Sequence, residues 1–345
     1  MEMDSRQWNY KLSLFLLPIP PPPPLSLSLS LSLSLPPACL QWNQASLKNE
    51  IDHEFLPYVW VYKCGRVERL VHTNFIPPSL DPQTGVSSMS TTERFLNATG
   101  GFYVGSPFTS KHHHLLNSIV TEANVVVVSI DYRLAPEHPI LVCYDDSWVA
   151  LQWALSHSPG QRDEEDQTEP WLTNHADFNR VFLAGDSAGA NIAHDLAIRV
   201  KAELGVELFG LALLHPFFWR SEPIGSESTE PNKNVFVAWI WPYVCPSNHD
   251  NDDLRINPTA ANGPSLVGLG CSRVLVFVAE KDILRDRGWL YYEVLARCGW
   301  MGVVEIIETE EENHVFFVHK PESEKARDLV THLALFLNLE RPPLA

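Results

Sequence analysis

The stretch of this chain richest in potential chemistry is Gly185-Asp186-Ser187-Ala188-Gly189, a G-x-S-x-G pentapeptide. An apolar run of strand length, Arg180 to Ala184, precedes it, and Ala190 to Val200 follows with apolar residues at helical spacing. The pentapeptide therefore reads as a sharp strand-to-helix turn that presents the Ser187 hydroxyl. Glycines on either side let strand and helix approach closely. The unpaired N–H groups at the helix start favour negative charge beside that hydroxyl.

A serine hydroxyl attacks well only when a base removes its proton and an acid orients the base. On turns of this kind the chain order is serine, acid, histidine. Asp282 follows the apolar run Val274 to Ala279, and His314 follows Val303 to Ile307. Both fall at carboxyl ends of predicted strands, where an open parallel sheet holds its ligands. Glu280 and Asp286 compete with Asp282, and His215 and His319 compete with His314; position favours Asp282 and His314. The backbone N–H of Ala188 is the first candidate donor to an oxyanion. The turn at Gly100-Gly101 is the second, because bare backbone approaches a ligand closely. No cofactor or metal is called for. Lys111-His112-His113-His114 reads as a polar helix start rather than a metal site. Asn97-Ala98-Thr99 fits a glycosylation acceptor that, without a secretory signal, is expected to stay unused.

The elements that must position these groups alternate. Helical patterns are predicted over Leu115–Ala123, Asp146–Leu155, Gly288–Arg297 and Glu322–Leu337; apolar strands over Val125–Ile130, Leu208–Leu214, Val274–Ala279 and Val303–Ile307. Such alternation predicts an α/β fold, a mostly parallel sheet with helices on both faces. Val59–Tyr62 and Arg66–Leu70 read as a hairpin around Lys63-Cys64-Gly65. The stretch from Phe217 to Asp253 reads as irregular; its aromatics suit a pocket wall and ordinary core packing equally.

The chain has 345 residues and a net charge of −17, which argues against nucleic acid and anionic membrane surfaces. Its 6 cysteines are scattered, as expected for reduced thiols of an intracellular protein. Residues 1–48 include a proline run and a Ser-Leu alternation, Ser26 to Leu35. They are expected to be a low-complexity extension, a translated leader or an artefact, with residues 49–345 forming the domain.

Asp131-Tyr132-Arg133-Leu134-Ala135-Pro136-Glu137-His138-Pro139, Tyr144-Asp145-Asp146 and Gly185 to Asn191 together resemble the plant carboxylesterase family. That group of hormone-sensitive-lipase-like α/β-hydrolases also includes gibberellin receptors and 2-hydroxyisoflavanone dehydratases. The resemblance runs from about Glu50 to Leu339. It implies an α/β-hydrolase fold, a cytoplasmic location that can extend to the nucleus, a small-molecule ester substrate and no stable membrane association. It also implies Ser187 as nucleophile, His314 as base and Asp282 as its orienter. Two other activities remain open: a non-catalytic hormone receptor, against which His314 counts because the receptors lack that histidine, and a dehydratase using the same residues.

The chain departs from the family pattern in two places. Where members carry His-Gly-Gly-Gly before the aromatic matching Phe102, this chain has Ala98, Thr99, Gly100 and Gly101. Between Ser88 and Gly100 the family places further strands, including the one that leads to the oxyanion loop. The expectation is that early strands are missing, that Thr92 to Asn97 supplies at best one short polar substitute, and that activity is impaired.

Overall fold

The structure, a computed structural model, describes residues 50–70, 74, 76, 94–98, 101–159, 169–229, 231–248 and 250–340. The expected N-terminal extension, residues 1–48, lies outside them.

Among the described residues, six strands form one parallel sheet: β4 (Arg94–Ala98), β5 (Val126–Ile130), β6 (Val181–Asp186), β7 (Gly210–Leu214), β8 (Arg273–Ala279) and β9 (Val303–Thr309). Their spatial order is β5-β4-β6-β7-β8-β9. An antiparallel sheet, β1 (Ile51–Phe55), β2 (Val59–Tyr62) and β3 (Val67–Arg69), precedes it and includes the predicted hairpin. The helices are α1 (Ser110–Ala123), α2 (Val142–Ser156), α3 (Pro170–His175), α4 (Ala188–Leu204), α5 (Pro231–Val244), α6 (Arg285–Arg297), α7 (Phe316–His319) and α8 (Glu324–Leu337).

The central strands are buried on both faces, so they read as unbroken apolar runs. Their period of two nonetheless assigns each side chain to a face. In β8, Val274, Val276 and Val278 join one core cluster, with residues of α2, α4 and α6. Leu275, Phe277 and Ala279 join the other, with residues of α1, α7 and α8. The helix spacings anticipated α1, α2, α4, α6 and α8 but not α5. Its sequence Val-Phe-Val-Ala-Trp-Ile-Trp is apolar all round, so no face stands out, and Pro242 lies inside the helix. Residues expected to be irregular are helical there, and Phe236, Val237 and Ile240 of the helix line a cavity.

Of the expectation about early strands, the part that falls on described residues is the single short strand allowed for Thr92 to Asn97. Arg94–Ala98 is a strand, and its backbone pairs in parallel with β5 on one side and with β6 on the other. The strand leading to the glycine turn is therefore present, inside the sheet and next to its edge strand β5. Its local sequence looked too polar for that place, and pairing on both sides overrides the weak local preference. Residues 77–93, where any further strand would fall, lie outside the described residues. Asn97 lies within this strand, paired on both sides, rather than on the surface loop a glycosylation acceptor needs.

From β4 the chain passes to β5 on one side, then returns to β6 on the other. That reversal opens a crevice beyond the carboxyl ends of β4 and β6, the usual ligand position in such sheets. Gly101 and Ser187 both stand at its edge.

Candidate active site

Ser187 terminates β6 and precedes α4, with φ 55° and ψ −115°. A left-handed φ on a non-glycine residue costs about 1–3 kcal/mol and persists only where the surroundings enforce it. Here they do. The Ser187 N–H donates to the Leu214 carbonyl at 2.9 Å, and the Ser187 carbonyl accepts from the N–H groups of Phe217 at 3.0 Å and Asn191 at 3.2 Å. Asn191, fully buried, donates its amide to the Phe217 and Arg255 carbonyls and accepts from the Tyr144 hydroxyl. The sequence motif included Asn191 without suggesting this anchoring part.

Gly185 is required by space. A Cβ there would lie 2.2 Å from the Gly189 carbonyl carbon and 2.3 Å from its oxygen. Both are backbone atoms of α4 and cannot turn aside. Gly185→Ala is expected to cost about 3 kcal/mol or more, read as a lower midpoint in urea, with esterase activity lost at least in proportion.

The three predicted side chains meet. His314 Nε2 lies 2.9 Å from Ser187 Oγ, and His314 Nδ1 lies 2.7 Å from Asp282 Oδ2. Asp282 is buried, and its other oxygen accepts from the Leu284 N–H at 3.0 Å. Burial alone would raise its carboxyl pKa; the facing His314 outweighs that and holds it well below the usual carboxylate range. Burial pushes His314 down, but the Asp282 charge, helped by that hydrogen bond and by Asp186, carries it above the ordinary imidazole value. The result is an anionic carboxylate beneath an imidazole whose free nitrogen faces a hydroxyl.

The competing groups are placed differently. Glu280 accepts from the Glu311 N–H, and Asp286 accepts from Ser226 N–H and pairs with Arg285, so neither reaches His314. His319 lines the mouth of the cavity. His215 sits behind the site: its Nδ1 is 3.4 Å from Asp282 Oδ2 and accepts from the Val315 N–H at 3.0 Å.

Ala188 opens α4, so its N–H has no partner within the helix. Gly101 N–H donates to the Val104 carbonyl at 2.7 Å, which commits that donor inside its own turn. Gly100 lies outside the described residues. The Asp131-to-Pro139 segment anchors the same turn. Ala135 N–H donates to the Phe102 carbonyl at 2.9 Å, Tyr132 hydroxyl donates to the Gly101 carbonyl at 3.3 Å, and Arg133 holds Asp146 of α2 through both guanidinium and backbone N–H.

A cavity of about 760 Å³ opens over Ser187, His314 and Asp282. Phe102, Phe217, Phe236, Val237, Ile240 and Leu284 give it apolar walls. The aromatic stretch thus divides: Phe217 and Phe236 face the cavity, whereas Trp219 and Trp241 are buried core. The rings of the histidine run diverge, His112 towards Thr109 and Asp186, His113 towards Asn117, His114 towards Glu322. Among the described residues, the one His/Cys/Asp/Glu group close enough for a metal ion is His215, Asp282 and His314, whose facing atoms already bond one another. Cys64, Cys143, Cys245, Cys271 and Cys298 are free thiols.

Residues 98–318 match the family described as alpha/beta hydrolase fold. This chain belongs to that family. It is 41% identical over 318 residues to probable carboxylesterase 2 of Arabidopsis thaliana, spanning 85% of this chain and 98% of that relative. It is 42% identical over 321 residues to 2-hydroxyisoflavanone dehydratase of Glycyrrhiza echinata, at the same coverage. Among solved structures, a hyperthermophilic esterase from Pyrobaculum calidifontis superposes with a TM-score of 0.60 at 26% identity, over 72% of this chain and 77% of that one. The protein is thus a carboxylesterase-like α/β-hydrolase. No helix among its described residues is long and apolar enough to cross a membrane.

Proposed function

We propose that this α/β-hydrolase is a serine carboxylesterase. The observation that carries the reading is the unbroken relay from Asp282 Oδ2 through both nitrogens of His314 to Ser187 Oγ, at 2.7 and 2.9 Å. With Nδ1–H donated to Asp282, His314 Nε2 carries a lone pair towards the hydroxyl. As Ser187 Oγ attacks the ester carbonyl, Nε2 takes its proton, and the Asp282 charge stabilises the imidazolium. The oxyanion is met by Ala188 N–H at the start of α4 and by the glycine turn at Gly100-Gly101. For Gly101 to join, its turn must release the Val104 carbonyl. His314 then protonates the leaving alcohol, and a water activated by the same nitrogen frees the acid from Ser187. No step passes through a metal or cofactor. The apolar cavity walls suit an ester with a short acyl or an aryl group.

A dehydratase is the second reading, favoured by the relative that bears that name at 42% identity. A hormone receptor is disfavoured by a histidine bonded to the serine. A fluorophosphonate probe is expected to label the protein at Ser187, and p-nitrophenyl acetate to yield p-nitrophenol and acetate. An unlabelled, correctly folded protein would exclude the serine mechanism. Turnover of a 2-hydroxyisoflavanone with no ester hydrolysis would favour the lyase.

A further inference from the structure

We propose that His215 is a positioning residue, a latch whose Nδ1 holds the loop bearing His314 in the geometry that reaches Ser187. The proposal rests on the serine-esterase reading. His215 follows β7 with φ 49° and its side chain has no exposed surface. Its ring packs edge-on against Phe317, 5.2 Å between centroids, and tilted against Phe316. The N–H of Val315, the residue after the base, donates to its Nδ1 at 3.0 Å.

Val315 has φ 46°, a conformation that a β-branched side chain adopts only under constraint. Something must hold the backbone there, and the His215 bond is placed to do so. A ring nitrogen has one site, so an Nδ1 that accepts from Val315 cannot also donate to Asp282 Oδ2, 3.4 Å away. The ring is therefore the neutral tautomer with its proton on Nε2. Nε2 has no hydrogen-bond partner among the described residues. The charged and titratable groups facing the ring are Asp282, His314 and Asp186; burial, the largest influence, lowers its pKa despite Asp282 and favours this neutral form.

The same turn of chain ties down the nucleophile. Leu214 carbonyl accepts from Ser187 N–H, and Phe217 N–H donates to Ser187 carbonyl. The segment 214–217 is thus bonded to the serine turn by backbone and to the histidine loop by His215. Ser187 and His314 lie 127 residues apart in sequence. A shared post removes their relative freedom, which is what near-attack geometry needs.

The test uses the full chain with p-nitrophenyl acetate. Active sites are titrated by fluorophosphonate so that rates refer to folded enzyme. His215→Leu fills the space without an acceptor; His215→Asn restores an acceptor oxygen near the Nδ1 position. The leucine variant is expected to lose about 30-fold or more in kcat with KM within about twofold, and the asparagine variant to recover to within about fivefold of the parent. In the leucine variant the acid limb of kcat/KM also moves to lower pH, because a released His314 leaves Asp282. Full turnover by His215→Leu, or equal losses in both variants with the limb unmoved, overturns the latch. If the leucine variant does not fold, His215→Phe replaces it, keeping a ring between Phe316 and Phe317. If neither apolar variant folds, the asparagine variant decides alone: near-parental turnover supports the latch, and a folded but inactive protein overturns it. Ser187→Ala runs alongside. Turnover surviving there refutes the serine reading itself, whereas turnover lost there but kept in His215→Leu refutes only the latch.

Discussion

Ser187→Ala is expected to lower kcat for p-nitrophenyl acetate by about a million-fold, some 8 kcal/mol of barrier. The size follows from what the substitution removes. Among the described residues no other hydroxyl or thiol is bonded to His314 Nε2, so the covalent route vanishes whole rather than weakening. What survives is the binding cavity and the oxyanion donors, worth about 10³–10⁴ over water in comparable enzymes. Stability should change little or rise slightly, since alanine meets the same left-handed φ without an alcohol to satisfy. Matched thermal melts with this loss would confirm the assignment; a kcat within tenfold of the parent would end it.

Asp282→Asn is expected to cost about 10⁴ in kcat at neutral pH while leaving the fold in place. The amide occupies the same volume, yet it can present N–H to His314 Nδ1. The imidazole then carries its proton on Nε2 and faces Ser187 with a donor instead of a lone pair. The pH profile gives a second, independent reading. In the parent, Asp282 raises the His314 pKa against burial. His314 works as a base only when neutral, so the acid limb of kcat/KM should lie above about 6.5, the ordinary imidazole value. With the carboxylate gone, only Asp186 is left to oppose burial, and the limb should move to lower pH. A limb that does not move on substitution would show that another group controls it.

Much of the site was legible because its signals are local. Gly185 and Gly189 flank Ser187 within one pentapeptide, and the steric reason for Gly185, backbone of Gly189 at 2.2 Å from a would-be Cβ, is a short-range one. Asp282 and His314 stand just past apolar runs, and a parallel sheet gathers strand ends on one rim. The strands β6, β7 and β8 announced themselves as continuous apolar runs because both faces are buried.

What escaped depends on partners distant in sequence. The Arg94–Ala98 strand looked like a polar substitute, and only its pairing with β5 and β6 makes it an interior strand of the sheet. Helix α5 hid because a segment apolar on every side has no period to detect. His215 looked like a rejected rival of His314; its contacts run to Asp282 and Val315, 67 and 100 residues onward, which no spacing rule connects. Gly101 looked like an available donor until its turn gave its N–H to Val104.

The sequence by itself determined the parallel α/β plan and singled out Ser187, Asp282 and His314 as the side chains that would have to meet. Patterns of period two and 3.6 and the glycine turn are properties of neighbouring residues. Only the tertiary structure decided that the imidazole stands between carboxylate and hydroxyl, what holds it there, and which aromatics line the cavity. Those are distances between side chains on separate strands, set by sheet order and packing rather than by any neighbour along the chain.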